Sequence, residues 1–79
     1  MATLRLFAAA REAAGTSRDI VPGANVDEVI AAAVARYGAD FAAVLLQCRI
    51  WVNGEGAEGS TPVSDDDEVA VLPPVSGGA

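Results

Sequence analysis

Hydrophobic and polar residues alternate over Thr3-Leu4-Arg5-Leu6-Phe7. Successive side chains of a strand point to opposite faces, so the pattern predicts a half-buried strand with Leu4 and Leu6 inward and Arg5 and Phe7 outward. Residues 9–14 are alanine-rich and long enough for about two turns of helix, and Gly15 follows as a residue suited to the end of one. A second strand is expected over residues 16–21, with Ile20 as its clearest core residue, before the turn signal Pro22-Gly23.

The strongest periodic signal covers Val26–Tyr37, where Val26, Val29, Ile30, Ala33, Val34 and Tyr37 recur at three- and four-residue spacing. One stripe of an amphipathic helix has that spacing, and the stripe is expected to meet a sheet through Val29, Ile30 and Val34. Asn25 is a suitable N-cap with Glu28 three residues on, Asp27 and Glu28 suit the positive end of the helix dipole, Arg36 suits its negative end, and Gly38 suits the exit. Residues 40–46 hold Phe41, Val44 and Leu45 at spacings read as a single packed turn.

Alternation returns over residues 48–53, sending Cys48, Ile50 and Val52 inward and Arg49 and Trp51 outward. Asn53-Gly54-Glu55-Gly56 reads as a turn, followed by at most a short edge strand near Ala57 and Glu58. Ser64-Asp65-Asp66-Asp67 is an acidic turn into a last strand, with Val69 and Val71 inward and Leu72 outward. The sum is an α+β domain with one main helix packed across one sheet face. Phe7, Trp51 and Leu72 gather on the other face, a candidate docking patch because large apolar side chains left together in solvent mark interaction sites.

Composition narrows the chemistry. With 79 residues there is room for one small domain, and 52% hydrophobic residues exclude the disordered class despite a net charge of −6. That charge opposes nucleic acid and anionic membranes as partners, so the expected partners are proteins with basic surfaces. The chain has no histidine, and all five of its basic residues are arginine. Imidazole bases and lysine nucleophiles are therefore missing, and the single Cys48 provides neither an internal disulfide nor a zinc set. No cofactor of its own is called for. Residues 1–10 carry Arg5 mid-run and are too short for a signal h-region, and no run approaches membrane-spanning length, so a cytoplasmic protein is expected.

Beyond residue 72 the sequence reads Pro73-Pro74-Val75-Ser76-Gly77-Gly78-Ala79. The prolines lack the N–H needed to extend a ladder and favour an extended path. Gly77 and Gly78, having no Cβ, suit a channel too narrow for side chains. The six residues from Pro73 to Gly78 reach about 20 Å when extended. Residues 1–72 are thus expected to form the domain and 73–79 an extended tail that presents a backbone terminus to another protein.

Leu6-Phe7-Ala8 with Arg11-Glu12 and Gly15-Thr16, Val52-Asn53, and Asp67-Glu68-Val69-Ala70 running into Pro-Pro-Val-Ser-Gly-Gly resemble the small, sulfur-carrying subunit of molybdopterin synthase. The resemblance spans essentially the whole chain, and the ending is its most specific part. It implies a ubiquitin-like β-grasp fold with a mixed sheet. It also implies a carrier rather than an enzyme: an ubiquitin-activating-type enzyme adenylates the terminal glycine, here Gly78 with Gly77 before it, and the acyl-adenylate becomes a thiocarboxylate. The tail, Pro73, Pro74, Val75 and Ser76 included, then enters the large catalytic subunit, and sulfur passes to cyclic pyranopterin monophosphate. Two positions depart from the family pattern. Asp66 stands where glycine is common, and Ala79 follows the second glycine, so that the Gly78 carboxyl is an amide. A peptidase that removes Ala79, an activating enzyme that tolerates it, and an origin in cloning each account for it. Carriers for thiamine or cysteine biosynthesis share the fold and the Gly-Gly, a ubiquitin-like protein modifier uses the same ending, and an interaction module with an inert tail is the bland alternative.

Overall fold

The computed structural model describes residues 1–73. They form β1 (Ala2–Leu6), α1 (Ala8–Ala14), β2 (Arg18–Val21), α2 (Val26–Tyr37), α3 (Ala39–Leu45), β3 (Arg49–Val52), β4 (Glu55–Gly56) and β5 (Glu68–Leu72). The strands make one sheet in the order β2-β1-β5-β3-β4. β1 and β5 run parallel at its centre and the other pairings are antiparallel, so the sheet is mixed. Leu4, Leu6, Val21, Val69 and Val71 are fully buried on one face together with Ala10 of α1, Val29 and Ala33 of α2, and Phe41 of α3. The helices therefore lie on one side of the sheet, and the alternating partners of those strand residues face away from them.

The main helix has the expected bounds because every local signal agrees. The Asn25 side chain accepts the Glu28 N–H at 2.9 Å, and Glu28 reaches back to accept the Ala24 N–H at 2.8 Å, a reciprocal cap set one residue earlier than the usual box. The buried line runs through Val26, Val29 and Ala33, while Ile30 and Val34 pack at its margin, half-buried. At the far end Gly38 (φ 98°) closes α2 and opens α3, a backbone state that alanine would reach only with strain. Tyr37 and Phe41 meet edge to face across that corner, ring centroids 5.1 Å apart.

Three expectations fail for identifiable reasons. Residues 40–46 contain a two-turn helix instead of a single turn, since Ala39, Ala42 and Ala43 favour helix without adding to the hydrophobic pattern. Ile20 is 46% exposed and Val21 is the buried residue of β2. The register pairs Ile20 with Thr3 and Val21 with Ala2, so Val21 shares the inward phase of β1 and Ile20 does not. The short edge strand lies at Glu55–Gly56, not near Ala57 and Glu58. Asn53 (φ 50°) and Gly54 (φ 85°) make the two-residue hairpin turn by themselves, and pairing resumes at once with Val52 opposite Glu55. Among the described residues, no helix is long and apolar enough to cross a membrane.

The free edge of β2 is closed by its own side chains. The Ile20 N–H donates to the Asp19 carboxylate at 2.8 Å, and Arg36 donates both to the Ile20 carbonyl at 2.9 Å and to Asp19 at 2.8 Å. The Tyr37 hydroxyl donates to the same carboxylate. The Tyr37 and Arg36 hydrogen bonds hold the Asp19 carboxyl below its ordinary range, while burial and Asp19 push the Tyr37 phenol up to about 12. Asp67 is lowered too, by the Ser64 N–H and the Asn53 amide.

Two measurements follow. In urea denaturation Phe41→Ala should cost about 3–5 kcal/mol, as for a fully buried aromatic, and Ile30→Ala, at the margin, only about 1–2 kcal/mol; the reverse order would put the core elsewhere. A carboxyl whose folded pKa is depressed contributes stability above its unfolded pKa and loses it as pH falls through the folded value. Asp19→Asn should therefore lower Tm at neutral pH and reduce the further loss below about pH 4, leaving the part due to Asp67. A variant whose Tm falls as steeply as the parent's between pH 5 and pH 2 would remove Asp19 from the acid limb.

Candidate functional site

The outer sheet face can be built row by row from the strand registers. Ile20, Thr3 and Glu68 form the first row, continued by Asn53, whose side chain accepts the Glu68 N–H at 2.8 Å. Arg18, Arg5, Ala70, Trp51 and Gly56 form the second. Leu72 and Arg49 pair in the third, and Phe7 continues β1 beside them, its N–H donating to the Val71 carbonyl at 3.2 Å. The face is thus an apolar group, Phe7, Leu72, Trp51 and Ile20, interleaved with three arginines and Glu68, with Glu58 beside Arg49 and Trp51 at its margin.

Phe7 is held by two elements. Its extended backbone (φ −127°, ψ 151°) finishes the β1 ladder, and its carbonyl accepts the Ala10 and Arg11 N–H groups that begin α1. Ala8 then takes φ 50°, in the left-handed region, where alanine is disfavoured by about 1–2 kcal/mol. That turn swings α1 beneath the sheet and leaves the Phe7 ring 36% exposed on the outer face. The Arg5 guanidinium lies 5.7 Å from the ring centroid and 3.4 Å from the Glu68 carboxylate, bridging the apolar and acidic ends of the face. Trp51 is also 36% exposed, on a strand whose other face carries half-buried Ile50 and Val52.

The three residues expected in a docking patch do share this face: Phe7 and Leu72 are neighbours at its lower end, and Trp51 lies one row up and one strand across, with Leu72 half-buried. Because β1 and β5 are parallel, their C-terminal ends lie together. Pro73 is exposed there and lines an apolar groove of about 280 Å³ between α1 and α3, with Ala8, Ala43, Val44 and Cys48. The Cys48 thiol donates to the Val44 carbonyl at 3.3 Å, and burial pushes its pKa up, which opposes thiolate formation at neutral pH. Pro74, Val75, Ser76, Gly77, Gly78 and Ala79 lie outside the described residues. Missed from sequence were Arg18 and Ile20, because β2 runs in the opposite phase to that inferred from the size of Ile20. Only the pairing with β1 fixes that phase.

Comparison with known proteins agrees with this architecture. The ThiS family model matches residues 4–78. Comparison with curated protein sequences gave no match. The solution structure of small archaeal modifier protein 1 from Methanosarcina acetivorans is 32% identical with a TM-score of 0.83, covering 98% of this chain and 95% of that one. The crystal structure of the same-named protein from Haloferax volcanii is 32% identical with a TM-score of 0.77, covering 96% and 97%. A putative molybdopterin converting factor, subunit 1, from Pyrococcus furiosus is 26% identical with a TM-score of 0.79, covering 94% and 97%. A mixed five-stranded sheet with its helices on one face, a last strand at the sheet centre and a family match over nearly all of the sequence lead to one conclusion: the chain belongs to the ThiS family of ubiquitin-like, β-grasp sulfur carriers.

Proposed function

We propose that this chain carries sulfur on the Gly78 carboxyl and donates it to cyclic pyranopterin monophosphate in molybdopterin biosynthesis, working in the cytoplasm as the non-catalytic small subunit of the synthase. The observation that supports the reading most is the exit of β5 beside Phe7, at the end of the sheet centre, directly into Pro-Pro-Val-Ser-Gly-Gly. A carboxylate is a poor electrophile. Attack of its oxygen on the α-phosphorus of ATP, with loss of pyrophosphate, makes an acyl-adenylate, and hydrosulfide from the sulfur donor then displaces AMP to leave a thiocarboxylate. A chain without histidine or lysine leaves nucleotide binding and proton transfer to its partners, an ubiquitin-activating-type adenylating enzyme and the large catalytic subunit. Phe7, Trp51 and Leu72 dock on those partners, Pro73, Pro74, Val75 and Ser76 span the channel, and a peptidase removes Ala79. The Pyrococcus furiosus protein named as a molybdopterin converting factor subunit supports the assignment.

A second reading is favoured by the two archaeal modifier proteins at 32% identity. The same activated glycine would then pass to a lysine amine of a target protein. Lacking lysine, this chain offers no side-chain amine on which to extend a polymer of itself. Carriers for thiamine or cysteine synthesis share the activation step and differ in the acceptor.

Intact-mass measurement after incubation with ATP, a sulfur donor and the adenylating enzyme, free of peptidase, tests the terminus. The protein ending at Gly78 should gain sulfur in place of oxygen and then support molybdopterin formation with the large subunit. The protein ending at Ala79 should do neither until trimmed, because near-attack placement is lost through a shift of about 1 Å and Ala79 displaces the carboxylate by a residue. Equal yields would sink the processing step, and no thiocarboxylate from either would sink the carrier reading. Phe7→Ala should weaken binding to the adenylating enzyme by over about 1 kcal/mol, as interface hot spots do, with little change in Tm; equal losses in both would assign Phe7 to the fold alone.

A further inference from the structure

The groove of about 280 Å³ between α1 and α3 belongs to the helix layer, not to the outer sheet face. Sites for small molecules run to about 300–1,000 Å³, so this one has room for a side chain or two. Its walls are the small residues Ala8 and Ala43 with Val44, and Cys48 and the exposed Gln47 line it towards β3. Ala8 takes φ 50°. Glycine would adopt that state without strain, so the methyl group on the groove wall is held there against the backbone's preference. Pro73, the first residue past β5, is itself part of the lining. The tail therefore begins inside the groove.

We infer that this groove is a resting seat for the chain's own Pro74-Val75, filled when no partner holds the tail. The first argument is tethering. Joined to Pro73 with no linker between, these two residues face the groove at an effective concentration in the mM range, so a contact too weak for a free peptide is populated. The second is chemical fit. Proline-led extended segments lose little conformational freedom on docking. Pro74 has a carbonyl and no N–H, so the backbone there needs donors, and the Gln47 amide is one. Val75 is apolar, as are the methyl groups of Ala8, Ala43 and Val44. At 3.3–3.6 Å per residue, Pro74 and Val75 reach about 7 Å from Pro73, which leaves Gly77 and Gly78 out of the seat. A partner that takes the terminus competes with the groove and must draw Val75 out of it. The seat is independent of what Gly78 carries and of whether Ala79 is present, so it stands apart from the function proposed above.

Cys48 is the chain's single thiol and lines the groove half-buried, so its alkylation by iodoacetamide at fixed pH reports whether the seat is filled. In the full chain Val75→Asp should speed alkylation about fivefold at unchanged Tm, while Val75→Ile keeps the parent's rate. In the parent, nuclear Overhauser contacts between the methyl groups of Val75 and Ala43 are expected, at an intensity that does not change with protein concentration. Equal alkylation rates in the parent and Val75→Asp would overturn the seat and leave the carrier reading standing. If Val75→Asp lowers Tm, the methyl contact in the parent decides, and its absence overturns the seat. Protection that grows with protein concentration and is lost in Leu46→Ser would give the groove to a second copy through Leu46, which is 88% exposed next to Gln47, and would overturn the seat as well.

Discussion

The pairing of β1 with β5 is the constraint on which the remaining structure depends. These strands come from opposite ends of the sequence, Thr3 lying beside Glu68 and Leu6 beside Val71, and parallel strands need a long crossover that passes over one sheet face. The intervening chain supplies it, and α2 covers the face on the way. Because both central strands end at the same side, Phe7 and Pro73 become neighbours there. Leu4, Leu6, Val69 and Val71, all fully buried, are the apolar seam between them. The fold, the exposed face and the departure point of the tail thus follow from one pairing.

What sequence alone revealed depended on whether the deciding interaction was local. Helix α2 was legible because cap, dipole and stripe are all encoded within about a dozen residues, and the strands β1, β3 and β5 because alternation fixes which residues share a face. Ile20 was misplaced since its phase depends on a register with β1 that no local pattern records, and a shift of one residue exchanges the two faces of a strand. Helix α3 was underestimated because alanine contributes helix propensity without periodic hydrophobicity. Phe7, Trp51 and Leu72 were found by alternation. The arginines around them were not assembled, because their neighbourhood is a property of three registers taken together.

The Asp19, Arg36 and Tyr37 cluster shows how a small sheet controls its own contacts. An unpaired edge is a template for another strand. Here the groups of Ile20 that point outward are occupied by side chains from within the chain and from α2, while the opposite edge is two residues long. The outer face is left uncovered by any helix, and a side-chain surface can discriminate between neighbours as a backbone edge cannot.

The central position of β5 also bears on synthesis. A ribosome makes the sheet's middle strand after all the other strands, its neighbours β1 and β3 included. Until Val69 and Val71 arrive, the buried faces of those neighbours have nothing to close upon, so the domain folds only once translation has passed Leu72. Gly77 and Gly78 follow directly behind in the sequence. A chain interrupted early lacks both the strand and the glycines, and one that displays the glycines already holds the strand that completes its core. The order of the elements thereby ties the presence of the glycines to the presence of the strand that closes the core.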